Sequence, residues 1–497
     1  MSANRKSYLD VIKKTTLFGG VQVVQILSVL VRGKVIALLL GTTGIGIYTI
    51  YNSVVTLVVQ FASFGLNFSA VRDISQATES NDVIRQGKII KVFRKWILFC
   101  SFFGATIIGI GSYWLSKYSF GNSNYTWAFV GLMPVVFLTI LNSGYIAVLQ
   151  GTRNLKSMAT ASVLGSIIGI LLCVPLFYLF RVPGIVLGLI AASLISAIMG
   201  WYFSRKVEVK NIIVTLNEAI SDGSEMAKLG LAMMVATLIG SAVNYIIVAY
   251  ISKYGSVADV GLFGAGMSIT NQYIGLVFTA MAVDYFPRLS AVCSDRNKVN
   301  EMVNQQAEMV LLIVCPLLIC MMLSAPLLIR ILLSSEFLAI TDFVCWGAFA
   351  MIFKSAAFAI GYISFAKGDK KIFFLFEGIF NSLVILITSI FGYRWFGING
   401  VAIATVISNM LYIINVNLLA KWRYGLVLTK DVIKIFAWSV LLVSTCLFIT
   451  LNFSNIYGYT LVTGLLILSV IYSIKLLDRK TNFVLALKSK IMKKNLS

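Results

Sequence analysis

Five ionisable side chains stand inside otherwise apolar stretches of this sequence: Arg32, Lys34, Arg330, Lys354 and Glu377. Placing such a group near a bilayer centre costs roughly 2.5–3.5 kcal/mol on insertion scales, so each is a functional candidate until a cheaper reason is found. Arg32 lies about eight residues from the outer end of its stretch, roughly 12 Å at 1.5 Å per residue. Its planar fork suits a phosphate or diphosphate better than an ammonium does. Snorkelling to the interface is the competing reading. Lys34 is two positions on, so it points to another face, and it is near enough to the end to snorkel. Lys354, about 11 residues from either end, is hard to explain that way. Arg330 sits close to the outer end, where snorkelling suffices. Glu377 lies about five residues from the inner end of its stretch. It meets Lys370 or Lys371 at the interface, pairs with Lys354, or holds a proton or sodium ion.

Polar uncharged residues add to this set. Asn142, Asn244, Asn381, Asn409 and Gln25 stand in apolar stretches. They can hydrogen-bond sugar hydroxyls, although helix–helix hydrogen bonds are the commoner reason for such residues. The substrate-binding candidates are therefore Arg32, Lys354, Lys34 and Asn244, with Glu377 as the coupling or ion-pair candidate. Other chemistry is excluded. The chain has no His, which removes His-ligated metal sites, Ser–His or Cys–His catalysis and His proton relays. Its seven Cys form no CxxC pair and read as small core hydrophobes. No cofactor is expected beyond coupling to H+, Na+ or the membrane potential.

The elements that must hold these residues follow from composition. Of 497 residues, 59% are hydrophobic and 12% charged, about half the charge of a soluble domain. Mean hydropathy is +0.90. Fourteen apolar runs between residues 17 and 475 reach the length of about 20 that a bilayer requires. The expected fold is an all-α polytopic membrane protein of about 14 transmembrane helices. An even number of spans puts both termini on one side. Lys and Arg decide which side. The termini and the connections 72–95, 150–157, 204–228, 284–305, 366–371 and 421–434 hold 33 of the 41 cations, and the opposite connections hold four. Both termini are thus expected in the cytoplasm. The net charge of +22 then reflects orientation beside anionic membrane lipids, and nucleic acid is not a partner.

An internal repeat organises the spans. GYIAVLQGTRNLK (144–156) answers to GYISFAKGDKKIF (361–373), Gly46-Ile47-Tyr48 to Gly261-Leu262-Phe263, and Val182-Pro183-Gly184 to Ile398-Asn399-Gly400. The Val71–Ser75 stretch answers to Phe286–Ser290. The offsets are 215 to 217 and cover six spans, so the copies are parallel. Parallel repeats of this kind put the substrate site between the halves. Residues 1–206 form an N-terminal six-helix lobe, 207–228 a cytoplasmic linker with an interfacial helix, and 229–425 a C-terminal six-helix lobe. Residues 426–497 add two helices and a basic tail. The repeat sets Asn244 against Arg32, Phe137 against Lys354 and Thr160 against Glu377. The charges are not duplicated, which points to function rather than folding.

The stretches LGTTGIGIY (Leu40–Tyr48), LQGTRNLK (Leu149–Lys156) and DYFPRLS (Asp284–Ser290) resemble the polysaccharide-exporter branch of the MOP superfamily. Within it the likeness is to the Wzx-type O-antigen repeat-unit flippases, over nearly the whole chain. The resemblance implies a MATE-like fold and a bacterial inner-membrane location. It implies export of an undecaprenyl-diphosphate-linked oligosaccharide by alternating access, contact with polysaccharide polymerase machinery, and a cationic residue near position 32. A peptidoglycan-precursor (lipid II) flippase and a MATE-type multidrug cation antiporter are the alternatives. The second would call for acids in the cavity. The outside connections are too short to hold an enzyme's catalytic groups, so no enzymatic activity is expected.

Overall fold

The computed structural model describes residues 2–80, 82–207, 214–369, 372–453 and 455–481. Every regular element among them is helical, as it must be where lipid offers the backbone no hydrogen bonds. In chain order the helices are α1 (Ser2–Ala62), α2 (Leu66–Glu79), α3 (Val83–Phe120), α4 (Thr126–Gly131), α5 (Met133–Gly151) and α6 (Leu155–Arg205). Then come α7 (Leu216–Tyr254), α8 (Val257–Ala291), α9 (Arg296–Leu332) and α10 (Thr341–Ala366). A π-helical turn, Phe373–Phe380, leads into α11 (Asn381–Leu419), and α12 (Lys430–Asn452) and α13 (Ile456–Thr481) follow. Among the described residues, nine helical stretches are long and apolar enough to cross a membrane.

Three of the nine are hairpins rather than rods. Helix α1 breaks at Gly41 (φ 63°, ψ −157°), and Arg32 reaches back to hydrogen-bond Tyr48. Sixteen residues of straight helix would hold them about 24 Å apart. Helix α6 breaks at Arg181 (φ 52°, ψ −124°). Beyond it, Gly184 packs so closely that a Cβ would lie 2.3 Å from the Leu176 carbonyl oxygen. Helix α11 breaks at Phe396 and Gly397, and Thr388 and Ser408 share a hydrogen bond of 2.7 Å across the fold.

The local geometry recurs along the chain. After α5, Arg153 is left-handed (φ 56°), and Thr152 and Asn154 N–H donate to the Val148 and Leu149 carbonyls. At a 215-residue offset, Gly368 has φ 67°, and Lys367 and Asp369 donate to Ile363 and Ser364. The corner at Arg181 recurs 216 positions on at Gly397 (φ 59°). Gly46 and Gly261 abut each other's neighbours reciprocally. A Cβ on Gly46 would stand 1.9 Å from the Val257 carbonyl oxygen, and one on Gly261 2.0 Å from that of Thr42. At this 215-residue offset the residue opposite Arg32 is Ile247. Asn244 is displaced from that position by three residues.

By packing, the chain divides into two compact units. The first is Met1–Ala265 with Leu332–Glu336, and the second is Gly266–Ile331 with Phe337–Ser497. The division falls inside α8, beyond the stretch 207–228. The reason is visible in α7. Thr215 and Glu218 form a reciprocal capping box that starts the helix, and it then runs unbroken to Tyr254. Its first turns are tied to α2 and α3. Ser69 donates to the Met226 carbonyl (2.7 Å), Lys95 to the Val214 carbonyl (2.9 Å), and Lys88 pairs with Asp222 (2.9 Å). The expected interfacial helix is thus the opening of a long helix belonging to the first unit.

In the second unit a buried cluster of Tyr285, Val303, Ile360, Val416 and Leu426 joins α8, α9, α10 and α11 to the segment after it. That segment is fastened by Arg296, which donates to the Gly425 carbonyl at 2.9 and 3.1 Å, and by Asn304, which donates to Val427 and accepts from Thr429 N–H.

Candidate functional site

A cavity of about 410 Å³ lies within the first unit. The second half of α1 supplies Asn52, Thr56 and Gln60, spaced four residues apart and hence stacked on one helical face. Helix α5 supplies Thr139 and Asn142, and the second half of α6 supplies Ser193 and Ser196. Arg32, from the first half of α1, completes the wall. Val55, Val59, Val135, Leu189 and Ala192 fill the gaps between them.

The hairpin fold of α1 positions Arg32. Its guanidinium hydrogen-bonds Tyr48 and stands near Cys173, yet its Nε is sealed from the exterior without a hydrogen-bond partner. Two other cavity atoms share that condition, Gln60 Oε1 and Asn142 Oδ1. A buried polar group left unpaired costs about 1–3 kcal/mol. The three residues, which carry one such donor and two such acceptors, all line the same cavity. The hydroxyls of Thr56 and Ser193 are satisfied by their own helices, donating to Asn52 (2.8 Å) and Leu189 (2.8 Å) carbonyls. They retain lone pairs for a guest. A cationic fork beside amides and hydroxyls can take an anionic group joined to polyhydroxylated matter. Within the described residues no cluster of His, Cys, Asp and Glu suited to a metal occurs.

The other candidates lie elsewhere. Lys34 donates its ammonium to the Leu333 carbonyl within the first unit and is not part of the cavity wall. Asn244 is exposed on α7 and does not line the cavity. Lys354 is exposed on α10 in the second unit. Glu377 falls in the π-helical turn, and its side chain lies outside the described residues. Arg330 is exposed near the end of α9. Asn409 serves helix packing, donating to the Ala350 carbonyl at 3.0 Å.

Sequence reasoning did not select Asn52, Thr56, Gln60, Thr139, Ser193 or Ser196. The four-residue period of Asn52, Thr56 and Gln60 is the signal that marks them.

The lipid III flippase of Escherichia coli (strain K12) is 24% identical over 357 residues, covering 70% of this chain and 83% of the relative. A Shigella flexneri protein provisionally described as an O-antigen transporter is 25% identical over 301 residues, covering 59% and 69%. Among solved structures, the lipid II flippase MurJ in an inward closed conformation superposes with a TM-score of 0.69, at 15% identity, over 94% of this chain and 99% of the other. An inward-facing multidrug resistance MATE family transporter of the MOP superfamily gives 0.66, at 15% identity, over 82% and 94%. These likenesses fix the fold as that of MurJ and MATE proteins. Residues 35–342 match the family described as polysaccharide biosynthesis protein, and the chain therefore belongs to that family.

Proposed function

We propose that this multi-span inner-membrane protein carries an undecaprenyl-diphosphate-linked oligosaccharide, an O-antigen or related repeat unit, from the inner to the outer leaflet. The observation that carries the reading is the first-unit cavity, where Arg32 Nε, Gln60 Oε1 and Asn142 Oδ1 lack partners. Arg32 receives the diphosphate, and the amides and hydroxyls around it receive sugar hydroxyls. The prenyl chain stays in lipid. Transport proceeds by alternating access of two six-helix lobes within a fourteen-span chain. Supporting that organisation are the three hairpins and the geometry repeated at 215 to 216 residues. Both termini are assigned to the cytoplasm by the distribution of Lys and Arg. Outward movement of an anion runs with an inside-negative potential, worth about 2.3 kcal/mol per charge per 100 mV. Coupling to H+ or Na+, with Glu377 taking part, or the membrane potential resets the carrier, and Lys354 adds positive charge for the substrate. Lys34 and Asn244 are assigned to the path of the sugar. Contact with polymerase machinery follows from the position of this step before polymerisation.

The test is Arg32→Ala in the native host. Surface glycan is expected to vanish while the amount of protein in the membrane stays normal. Wild-type glycan in that variant would remove Arg32 from its assigned role. Lipid III is the second reading of the cargo, favoured by the identity to the Escherichia coli protein. Rescue of a strain lacking its lipid III flippase would select it.

A further inference from the structure

A second cavity, of about 230 Å³, opens on the first unit where α3, α5 and the end of α6 meet. Its wall is mostly apolar, with Phe93, Leu98 and Trp201 among its members, but one end is not. Arg94 from α3 and Arg205 from the last turn of α6 both line it, and both are exposed. Tyr145 of α5 stands between the helices, electrostatically coupled to Arg94. The guanidinium of Arg205 sits 5.4 Å from the centre of the Trp201 ring. Ser204, only 1% exposed, lines the same space, and its hydroxyl has no hydrogen-bond partner. An orphaned buried hydroxyl beside two cationic forks asks for an acceptor-rich anion.

The surroundings identify its carrier. Trp201 (47% exposed) and Leu98 (45% exposed) form an apolar wall open to the exterior. Trp is the residue that settles at the headgroup level of a bilayer. Both arginines belong to the Lys- and Arg-rich connections 72–95 and 204–228. A soluble phosphate would use the cationic end and leave the apolar wall bare, whereas a lipid phosphate covers both.

We propose that this pocket is a site for the phosphate of an anionic glycerophospholipid of the inner leaflet. Arg94 and Arg205 hold the phosphate, the Ser204 hydroxyl donates to it, and an acyl chain lies along Leu98 and Trp201. The site is separate from the Arg32 cavity, sharing no lining residue with it.

The experiment places the intact protein in phosphatidylcholine nanodiscs and measures binding of fluorescent phosphatidylglycerol or cardiolipin. Saturable binding is expected. Arg94→Gln with Arg205→Gln should weaken it at least about tenfold, the scale of a single charged hydrogen bond. Ser204→Leu fills the pocket while keeping both charges, and it should abolish binding in protein that remains monodisperse. Inorganic phosphate at millimolar concentration should not compete. Full competition by inorganic phosphate overturns the lipid assignment. So does retention of undecaprenyl phosphate with no retention of either glycerophospholipid. Wild-type affinity in the double variant or in Ser204→Leu overturns the site. Glycan export is not the readout, so a failure here is distinguishable from a failure of the transport reading.

Discussion

Arg32 is held by its own helix folding back. The break at Gly41 brings Tyr48 to the guanidinium, and among the described residues Nε is buried without a hydrogen-bond partner in a residue that lines the cavity. Gln60 and Asn142 are its uncharged counterparts, since among the described residues nothing hydrogen-bonds their carbonyl oxygens. Their arrangement predicts opposite effects on stability and on transport. Asn142→Leu and Gln60→Leu each replace an unsatisfied acceptor with an apolar group of similar size, a change that is nearly neutral or stabilising for a fold. The melting temperature of the purified protein should hold or rise, while export of lipid-linked glycan falls about tenfold, the scale of one hydrogen bond to the bound cargo. A parallel loss of stability and export would instead assign these amides to helix packing. The sequence marked Asn142 as polar in an apolar run but not its role. In a single helix an amide looks the same whether it pairs with a neighbour, as Asn409 does with the Ala350 carbonyl, or stands open. Only the approach of α5 and α6 to α1 separates the two cases. Lys34 illustrates the converse, since its charge is absorbed by the Leu333 carbonyl, an acceptor about 300 residues away that no local pattern reveals.

Elements were more legible than sites, because bilayer length and turn chemistry are local. The pairs at 182–184 and 398–400 fall at the corners of two hairpins, and those at 46–48 and 261–263 begin at a reciprocal glycine contact. That contact leaves no room for a side chain. Gly46→Ala and Gly261→Ala each force a methyl group to within about 2 Å of a carbonyl oxygen. Each should cost about 1–3 kcal/mol by overpacking, read as a lower melting temperature, and the double variant should be worse than either. Unchanged melting in both would show that the helices separate freely there. The stretch from 204 to 228 reads as a linker with an interfacial helix, and the Thr215–Glu218 capping box starts a helix there; what was not legible is that this helix continues unbroken to Tyr254. Hydrogen bonds from the Thr215 backbone and hydroxyl, then the nearby Lys88 and Lys95, hold the Glu218 carboxyl below its usual range. A depressed folded-state pKa gives stability that is present above the unfolded value, near 4.3, and is lost as pH falls through the folded one. The melting difference between wild type and Glu218→Gln should therefore shrink as pH is lowered from 5 toward and below 4. A difference independent of pH would exclude the carboxylate as its source.

At the scale of the whole molecule, three of the gaps between apolar runs, at 41–46, 181–183 and 393–397, contain the corners where long helical stretches fold back. Nine apolar helical stretches are seen among the described residues, and three of them turn on themselves at Gly41, Arg181 and Gly397. Two of those corners use glycine with positive φ. The third places Arg181 in a conformation that strains a non-glycine residue, while its guanidinium donates to the Leu39 carbonyl at 3.1 Å. Orientation across the bilayer is a separate matter, set by charge at insertion rather than by packing. The topology proposed from the count of 33 cations against four would put the connection 284–305 in the cytoplasm, and Cys293 within it is half-buried. Five of the other six cysteines are buried, and Cys320 is half-buried within the apolar part of α9. Lipid around that helix shields Cys320 from a charged reagent, so Cys293 serves as a native reporter of sidedness. A membrane-impermeant maleimide should label the protein in inside-out vesicles and not in intact spheroplasts. Cys293→Ser should abolish the label, while Cys320→Ser should leave it. Labelling from the spheroplast side that Cys293→Ser removes would invert the topology. The inner end of every span, and with it the leaflet from which the Arg94–Arg205 pocket draws its lipid, would then have to be reassigned.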